Sequence, residues 1–592
     1  MLIFAFASFE ACLRLVWSPP PPTDPYVGFS ESVPLIVPSS IPSEVEFNSA
    51  KLVWFNQQRF SRDKPADVFR IVCLGGSTTY GRPFDDGTSF CGWLRKLLPA
   101  VEPKTKWEVI NAGAISYASY RVAAVMEQFV PYDIDLFIVY TGQNEFLEWR
   151  TYDEQRQQSP WIPRLSSAVD KTYVGKLTRQ LVTQIVEPPA SDSAQLSGDV
   201  DEMLNHSVGP SSYVRDDLWH EGVLAHLEFN LGRMKLIAEQ AGARLAIINP
   251  ASNLRDCEPF KSLGTFAEQI APQQSPTAEA ASQVSNRKQD LNNAIETARD
   301  LISIGAIEDA TAMLQSVVGD QPRHAGANYL LGKAMFDKKQ FSTAELSFQT
   351  AVDEDVCPLR APTKVREAIR RFSSQPGIIQ VDFESLLARQ SMSELGHQCF
   401  GAEYFLDHVH PTIDCHGELA RMIVNELATE GIVTNQPTDG VFQEVSDVIH
   451  GSIDRVRQGV AFRNLAKVTH WAGKFSEAKR HATDALRLIP GDGESQYLMA
   501  DCCVKLGQLT EGLQQYEVLF QSGGFDRAAL PYGELLAREG QLQAAKTYLL
   551  QAVFVSQGPR QRTALMSLGQ VHSQLGEDEL AAECFAEAAK IR

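Results

Sequence analysis

The chain has 592 residues, too many for one hydrophobic core, so several domains are expected. Hydrophobic residues make up 44% and charged residues 21%, an ordinary balance for globular protein. The formal net charge of -19 repels phosphate and argues against a nucleic-acid partner. The ten cysteines form no Cys-x-x-Cys pair, so a zinc or thioredoxin-like site has no support. We expect buried free thiols, no metal and no cofactor.

The chain begins with an apolar segment over residues 1–17. Residues 1–9 are nearly all apolar, but Glu10 and Arg14 follow, and the run is shorter than the roughly 20 residues of a membrane helix. It also lacks the basic start and cleavage site of a signal peptide. Two interpretations stay open, the end of an anchor helix that begins upstream and a short packed helix. The four prolines at 19–22 form a stiff spacer and favour the anchor.

Residues 18–65 are rich in Pro and Ser and are interpreted as a linker. Five continuous apolar runs, separated by helical patterns, come after it and predict buried parallel strands. In chain order the runs are 69–77, 107–113, 135–142, 243–250 and 377–383. Strands that alternate with helices form a parallel α/β sheet, whose functional groups collect at the carboxyl ends of the strands.

Many more residues separate the fourth and fifth runs than a strand crossover needs, so we expect an insertion there. Small and apolar residues recur in it, and again near the C-terminus, with a period of about 34 residues. The positions in the first segment are Ala298, Ala310, Leu314, Val317, Pro322, Gly332, Ala344, Phe348 and Ala351. Those in the second segment include Leu465, Ala466, Ala478, Ala482, Ala485, Pro490, Met499, Ala500, Gly512, Tyr516, Leu519, Gly533, Ala545, Leu549, Ala552, Leu568, Gly569, Ala581, Phe585 and Ala588. Over 285–354 and 455–592 the pattern resembles tetratricopeptide repeats, which implies all-α segments and a protein partner.

Polar residues at the ends of the apolar runs suggest acyl-transfer chemistry. Ser77 follows two glycines at the end of the first run, Gly113 ends the second, and Asn144 follows the third. Asp407 and His410 lie far downstream. Ser77, His410 and Asp407 can serve as nucleophile, base and orienting acid. The backbone N–H groups of Ser77 and Gly113, with the Asn144 amide, can form an oxyanion hole.

Four sequence blocks together resemble the SGNH hydrolases, also called GDSL esterases and lipases. The matching residues, in order, are Ser77, Gly113, Gly142, Asn144, Asp407 and His410. The resemblance implies a flavodoxin-like three-layer α/β fold over 66–265 and 356–432, and metal-free hydrolysis or transfer of acyl esters. Gly76 and Glu145 each stand where the family has Asp. These versions resemble the cell-envelope branch, which includes polysaccharide O-acetyl transferases and esterases.

Two further residues follow the fourth run and are expected at the same edge of the sheet. Asn253 and Arg255 are candidates for contact with substrate, and the alternative is a hydrogen-bonded loop. Arg360 follows the insertion and is interpreted as a structural or solvated arginine, with an anionic partner as the alternative.

The residues therefore predict a serine hydrolase or acyl transferase that acts on an ester, with repeats that dock a partner or substrate. The alternative is a non-catalytic interaction scaffold with a degenerate hydrolase domain. The expected location is extracytoplasmic and membrane-anchored in the cell envelope, with the cytoplasm as the alternative. We expect the inserted repeats to overhang the cleft and to be dispensable for turnover of a small ester.

Overall fold

The computed structural model describes Arg14 and residues 33–147, 213–264 and 278–591. The segment over 1–17, apart from Arg14, lies outside the described residues, as does the first part of the predicted linker. No helix among the described residues is long and apolar enough to cross a membrane. The described residues up to Ser452 belong to one compact unit, and those from Ile453 belong to a second.

A small antiparallel sheet forms within the predicted linker, so that prediction is wrong for its second half. The sheet consists of β1 (Ile36–Pro38), β2 (Glu44–Phe47) and β3 (Arg59–Ser61), with β2 in the middle. Phe60 stacks on Phe129 of the main core, with ring centroids 6.0 Å apart. Strands of three or four residues are too short to show an alternating pattern, which explains why sequence reasoning missed them.

The predicted parallel sheet is confirmed. Its strands are β4 (Val68–Gly75), β5 (Lys106–Gly113), β6 (Leu136–Tyr140), β7 (Arg244–Asn249) and β8 (Ile378–Asp382). They lie in the order β5-β4-β6-β7-β8, and every neighbouring pair is parallel. This is the strand order of flavodoxin-like doubly wound sheets. In such sheets the second strand lies on one side of the first strand, and all later strands are added on the other side. The ends of β4, β5 and β6 therefore meet at one edge.

Helices cover both faces of the main sheet. The helices of this unit are α1 (Ser77–Tyr80), α2 (Phe90–Val101), α3 (Ser119–Glu127), α4 (Asp217–Ala241), α5 (Ala278–Ser303), α6 (Ile307–Asp320), α7 (Ala325–Asp337), α8 (Phe341–Asp353), α9 (Thr363–Ser373), α10 (Phe383–Leu395), α11 (Ile413–Thr429) and α12 (Asp439–Gly451). Val72 and Leu74 of β4 pack in one core cluster with α3, α4 and α9. Ile71 and Cys73 alternate with them, so they face the opposite side, where α2 and α11 pack.

Helices α5 to α8 form two antiparallel pairs inserted between β7 and β8. Gly332 of α7 lies against Phe348 of α8, and a Cβ at Gly332 would be 2.6 Å from that ring. Ala298, Ala310 and Ala344 are fully buried. The small residues that define the sequence period therefore sit where helices approach most closely.

The second unit contains four more helical pairs. Its helices are α13 (Arg455–Trp471), α14 (Phe475–Leu488), α15 (Gly493–Lys505), α16 (Leu509–Gln521), α17 (Ala529–Arg538), α18 (Leu542–Val555), α19 (Gly558–Gln574) and α20 (Asp578–Lys590). A Cβ at Gly533 would be 2.7 Å from Leu549, and one at Gly569 would be 2.7 Å from Phe585. The same glycine-to-large-residue contact therefore recurs in both helical regions.

Candidate active site

The sharp turn between β4 and α1 presents Ser77 at the carboxyl edge of the sheet. A Cβ at Gly75 would lie 2.2 Å from the carbonyl oxygen of Tyr140 on the neighbouring strand. A Cβ at Gly76 would lie 2.6 Å from Nδ2 of Asn144. Both positions need glycine because any side chain would displace the adjacent strand end or the Asn144 amide. The glycine that departs from the SGNH pattern thus makes room for Asn144.

Ser77, His410 and Asp407 form one hydrogen-bonded chain. Nε2 of His410 lies 2.7 Å from Oγ of Ser77, and its Nδ1 lies 2.6 Å from Oδ2 of Asp407. The other carboxylate oxygen of Asp407 accepts the backbone N–H groups of Val409 and His410, each at 2.9 Å. This is the order of contacts between nucleophile, base and orienting acid in serine hydrolases. The structure brings together the three residues that the sequence analysis selected.

The Asp407 carboxylate is almost completely buried, at 4% exposed. Burial alone would raise its pKa, but the His410 and His408 rings and the hydrogen bonds it accepts hold that pKa well below its usual range. An ionised Asp407 accepts the Nδ1 proton of His410, which leaves Nε2 free to accept the Ser77 hydroxyl proton. The ring and hydroxyl are partly exposed, so a substrate can reach them.

The Asn144 side chain lies beside the backbone that precedes Ser77. Its Nδ2 donates one hydrogen bond to the carbonyl oxygen of Tyr117, at 3.1 Å. A carboxamide has two N–H groups, so a second one remains for an oxyanion. The residue is half-buried, which makes this second donor reachable from the site.

The position of Gly113 corrects its predicted role. Its N–H donates to Oδ1 of Asn111 at 2.9 Å, so this donor already has an acceptor within the protein. A Cβ at Gly113 would lie 2.3 Å from the backbone nitrogen of Tyr80. The glycine lets α1 pack directly on the end of β5, and it is not placed as a donor to the oxyanion.

The sequence analysis did not select Ser116, which precedes Tyr117 in the loop after β5. It adopts a left-handed backbone conformation with φ of 61° and is half-exposed. Its N–H has no acceptor among the described residues. The flanking groups fix the loop, because Ile115 donates to the carbonyl of Trp54 and Tyr117 accepts from Asn144. A left-handed serine gives no sequence signal, since such positions usually hold Gly or Asn.

Glu145 explains how the second departure from the SGNH pattern is accommodated. Its buried carboxylate accepts the backbone N–H of Ser119 at 3.0 Å and the Ser119 hydroxyl at 2.7 Å. The hydroxyl of Thr141 also donates to it at 3.2 Å. The carboxylate thereby ties the loop that carries Asn144 to the start of α3.

Comparison with known proteins identifies the helical segments. The tetratricopeptide-repeat family matches residues 295–355 and 530–592. These segments are tetratricopeptide repeats. None of the curated proteins matches the chain in a sequence search.

Similar solved structures fall into two groups, and both likenesses are weak. An acetylxylan esterase from Geobacillus stearothermophilus is 12% identical with a TM-score of 0.26, over 61% of this chain and 94% of that one. An α/β hydrolase from the metagenome of Lake Arreo, Spain, is 12% identical with a TM-score of 0.25, over 60% and 94%. YrrB, a tetratricopeptide-repeat protein with an unusual peptide-binding site, is 20% identical with a TM-score of 0.21, over 29% and 85%.

Asn253 is a buried structural residue, which corrects the expectation that it is available to substrate. It is fully buried, its N–H donates to the carbonyl of His408, and its Nδ2 donates to the carbonyl of Asp407. Its side-chain oxygen accepts the backbone N–H of Asp256 at 2.8 Å. The alternative of a hydrogen-bonded loop is therefore the right one.

Arg255 is likewise engaged with protein groups, and its contact with substrate stays a prediction. Its guanidinium pairs with Asp256 at 2.8 Å and Glu403 at 2.6 Å, and it lies over the ring of Phe336 on the inserted repeats. Arg360 is buried and donates to the carbonyl oxygens of Asn253 and Cys257. Its Nη2 lies 3.8 Å from Oδ2 of the buried Asp355, so it is a structural arginine whose anionic partner belongs to the protein itself.

Metal ligands do not cluster in the described part of the chain. No group of three or more His, Cys, Asp or Glu side chains there could hold a metal ion. The nine described cysteines are free thiols, and eight of them are buried.

Proposed function

We propose that the first unit is a serine hydrolase or acyl transferase that acts on ester bonds. The proposal rests on one observation, the continuous contact from Ser77 Oγ through His410 to the buried Asp407 carboxylate, at 2.7 and 2.6 Å. The tetratricopeptide repeats support a protein-interaction role beside this activity.

In the first half of the reaction, Ser77 Oγ attacks the ester carbonyl carbon while its proton moves to Nε2 of His410. Asp407 stabilises the resulting imidazolium through Nδ1. The carbonyl oxygen becomes an oxyanion, and we assign its donors to the Ser77 N–H, the Ser116 N–H and the second N–H of Asn144. The ester C–O bond then breaks, and the departing alcohol takes the proton from His410.

In the second half, a hydroxyl group attacks the acyl-enzyme, and His410 accepts its proton and returns it to Ser77. Water in this position makes the protein a hydrolase, and an alcohol of an acceptor makes it a transferase. For the substrate, we propose an acetylated carbohydrate of the cell envelope, because the Gly76 and Glu145 versions of the motifs resemble that branch of the SGNH hydrolases.

A fluorophosphonate probe tests the proposed nucleophile directly. Wild-type protein should be labelled at Ser77, and Ser77→Ala should not be labelled. Ser374→Ala is the matched control, because the hydroxyl of this exposed serine donates only to the carbonyl of Arg371, and the change should leave labelling unchanged. A folded wild-type protein that resists the probe would instead indicate an interaction scaffold.

A substrate panel tests the finer proposal. Release of acetate from acetylated glycans should exceed release of acid from long-chain esters. Faster turnover of the long-chain esters would contradict the carbohydrate assignment while leaving the nucleophile assignment intact.

A further inference from the structure

The inserted repeats contact the loop that follows β7 through one face of α7. The hydroxyl of Tyr329 donates to the carbonyl of Arg255 at 2.9 Å, and Nζ of Lys333 lies 3.5 Å from Oδ1 of Asp256. The ring of Phe336 lies under the Arg255 guanidinium, with its centroid 5.1 Å away. Three consecutive turns of α7 thus hold two residues of this loop.

Arg255 and Asp256 in turn hold the segment that leads to the catalytic acid and base. The N–H of Arg255 and its Nη1 donate to the carbonyls of Phe400 and Cys399. Oδ2 of Asp256 accepts the backbone N–H of Ala402 at 3.0 Å. Burial alone would raise the pKa of Asp256, but Arg255 and these hydrogen bonds lower it to about 2, so the carboxylate stays charged.

This segment has little freedom to shift. A Cβ at Gly401 would lie 2.2 Å from Oδ2 of Asp256, so the chain passes directly against that carboxylate. Asn253, three residues before Asp256, holds the carbonyls of Asp407 and His408. The loop over 253–256 therefore contacts α7 on one side and the backbone of the catalytic loop on the other.

We propose that the inserted repeats position the catalytic base, with Arg255 and Asp256 as positioning residues that connect α7 to the loop of Asp407 and His410. This inference rests on the proposed function, and it reverses the expectation that the insertion only guards the cleft. A protein that binds the inserted repeats and shifts α7 would thereby change the rate of catalysis.

Arg255→Lys in the full chain is the main test. Lysine keeps the charge but cannot contact Cys399, Asp256 and Glu403 together. We expect kcat on a small acetyl ester to fall about ten- to a hundredfold with KM nearly unchanged, because the base is displaced from Ser77. Hydrogen exchange of the backbone amides over 399–410 should become faster. Arg371→Lys is the control, since Arg371 forms only an exposed pair with Glu228, and it should change neither measurement.

Tyr329→Phe supplies a second test that removes a single hydroxyl group from the insertion. It should accelerate exchange over 399–410 and lower kcat in the same direction, by a smaller factor. If Arg255→Lys does not fold, Tyr329→Phe decides alone. Unchanged exchange over 399–410 in the folded variants would overturn the proposal.

The exchange measurement separates this inference from the proposed function. If the wild-type protein resists the fluorophosphonate probe while both variants show faster exchange over 399–410, the proposed enzyme activity is refuted and the positioning role is retained. Normal probe labelling with unchanged exchange and unchanged kcat would retain the enzyme and refute the positioning.

Discussion

The inserted repeats and the C-terminal repeats share one fold but bury the same surface in different ways. Tyr329 of α7 and Tyr497 of α15 each stand five residues after the cap of their helix. Tyr497 packs against Phe525 and lies under Arg527, both from the next repeat. Tyr329 instead donates to Arg255 in the loop after β7.

The difference shows how two repeats persist without a longer stack. A repeat contacts only its neighbours, and a short array leaves a terminal face uncovered. In the C-terminal unit the neighbouring repeat covers that face and a continuous core runs through the pairs. In the insertion the loop over 253–256 covers it instead. The proposed positioning of His410 would link the stability of the insertion to the alignment of that side chain.

The largest effect on activity should come from a change beside Ser77, at the proposed oxyanion site. Asn144→Ala removes a proposed oxyanion donor and should cost about 2.7–4 kcal/mol of transition-state stabilisation. The loss should appear in kcat, with KM nearly unchanged. A change confined to KM would contradict the oxyanion role of the amide.

A matched pair of glycine substitutions sharpens the comparison between the two repeat regions. Gly332→Val and Gly533→Val place the same side chain against Phe348 and Leu549, at sites where a Cβ already comes within 2.6 and 2.7 Å. Each should destabilise its own region by about 1–3 kcal/mol through overpacking. Only Gly332→Val should lower esterase activity, and an equal loss in both variants would show that the two regions are not distinct in this respect.

Mild acid should weaken the cap of α7 in the insertion and spare the cap of the equivalent helix α15 in the C-terminal repeats. His324 caps α7 by accepting the N–H of Ala327 through Nδ1, whereas Asp492 caps the equivalent helix α15. Burial and the nearby Arg215 lower the pKa of His324 to about 4, so protonation favours the unfolded chain.

The stability that neutral His324 supplies is complete above its unfolded pKa of roughly 6.5 and is lost as the pH falls toward 4. The loss should be on the order of 2 kcal/mol by pH 4.5. Hydrogen exchange of α7 at pH 7 and pH 4.5 measures it. His324→Asn keeps a capping oxygen and should abolish the pH dependence of exchange in α7. If the pH dependence persists in this variant, His324 is not its cause.

The smallest effect should follow removal of the C-terminal repeats. A chain that ends at Ser452 retains Ser77, Asp407 and His410, and it corresponds to the first compact unit. Turnover of a small ester should stay within about twofold of the full chain, a change worth less than 1 kcal/mol. A large loss of activity in a folded truncation would show that both repeat regions support catalysis.

The sequence by itself determined the parallel strands and the repeats, and it selected the three residues that form the hydrogen-bonded contact of Ser77, His410 and Asp407. Continuous apolar runs indicate that a strand is buried on both faces, and small residues at a fixed period indicate close packing of helices. The three residues could be selected because the proposed acyl transfer requires these residue types in defined roles.

Only the tertiary structure decided how Gly113, Ser116, Asn253 and Arg255 are used. Gly113 has a local hydrogen-bond partner in Asn111. Ser116 has a left-handed backbone conformation that cannot be predicted from a serine side chain. Asn253 bonds to a segment 154 residues away, and Arg255 meets a repeat inserted later in the chain. Such contacts produce no periodic pattern in the local sequence, because they depend on where the sheet edge and the insertion meet in space.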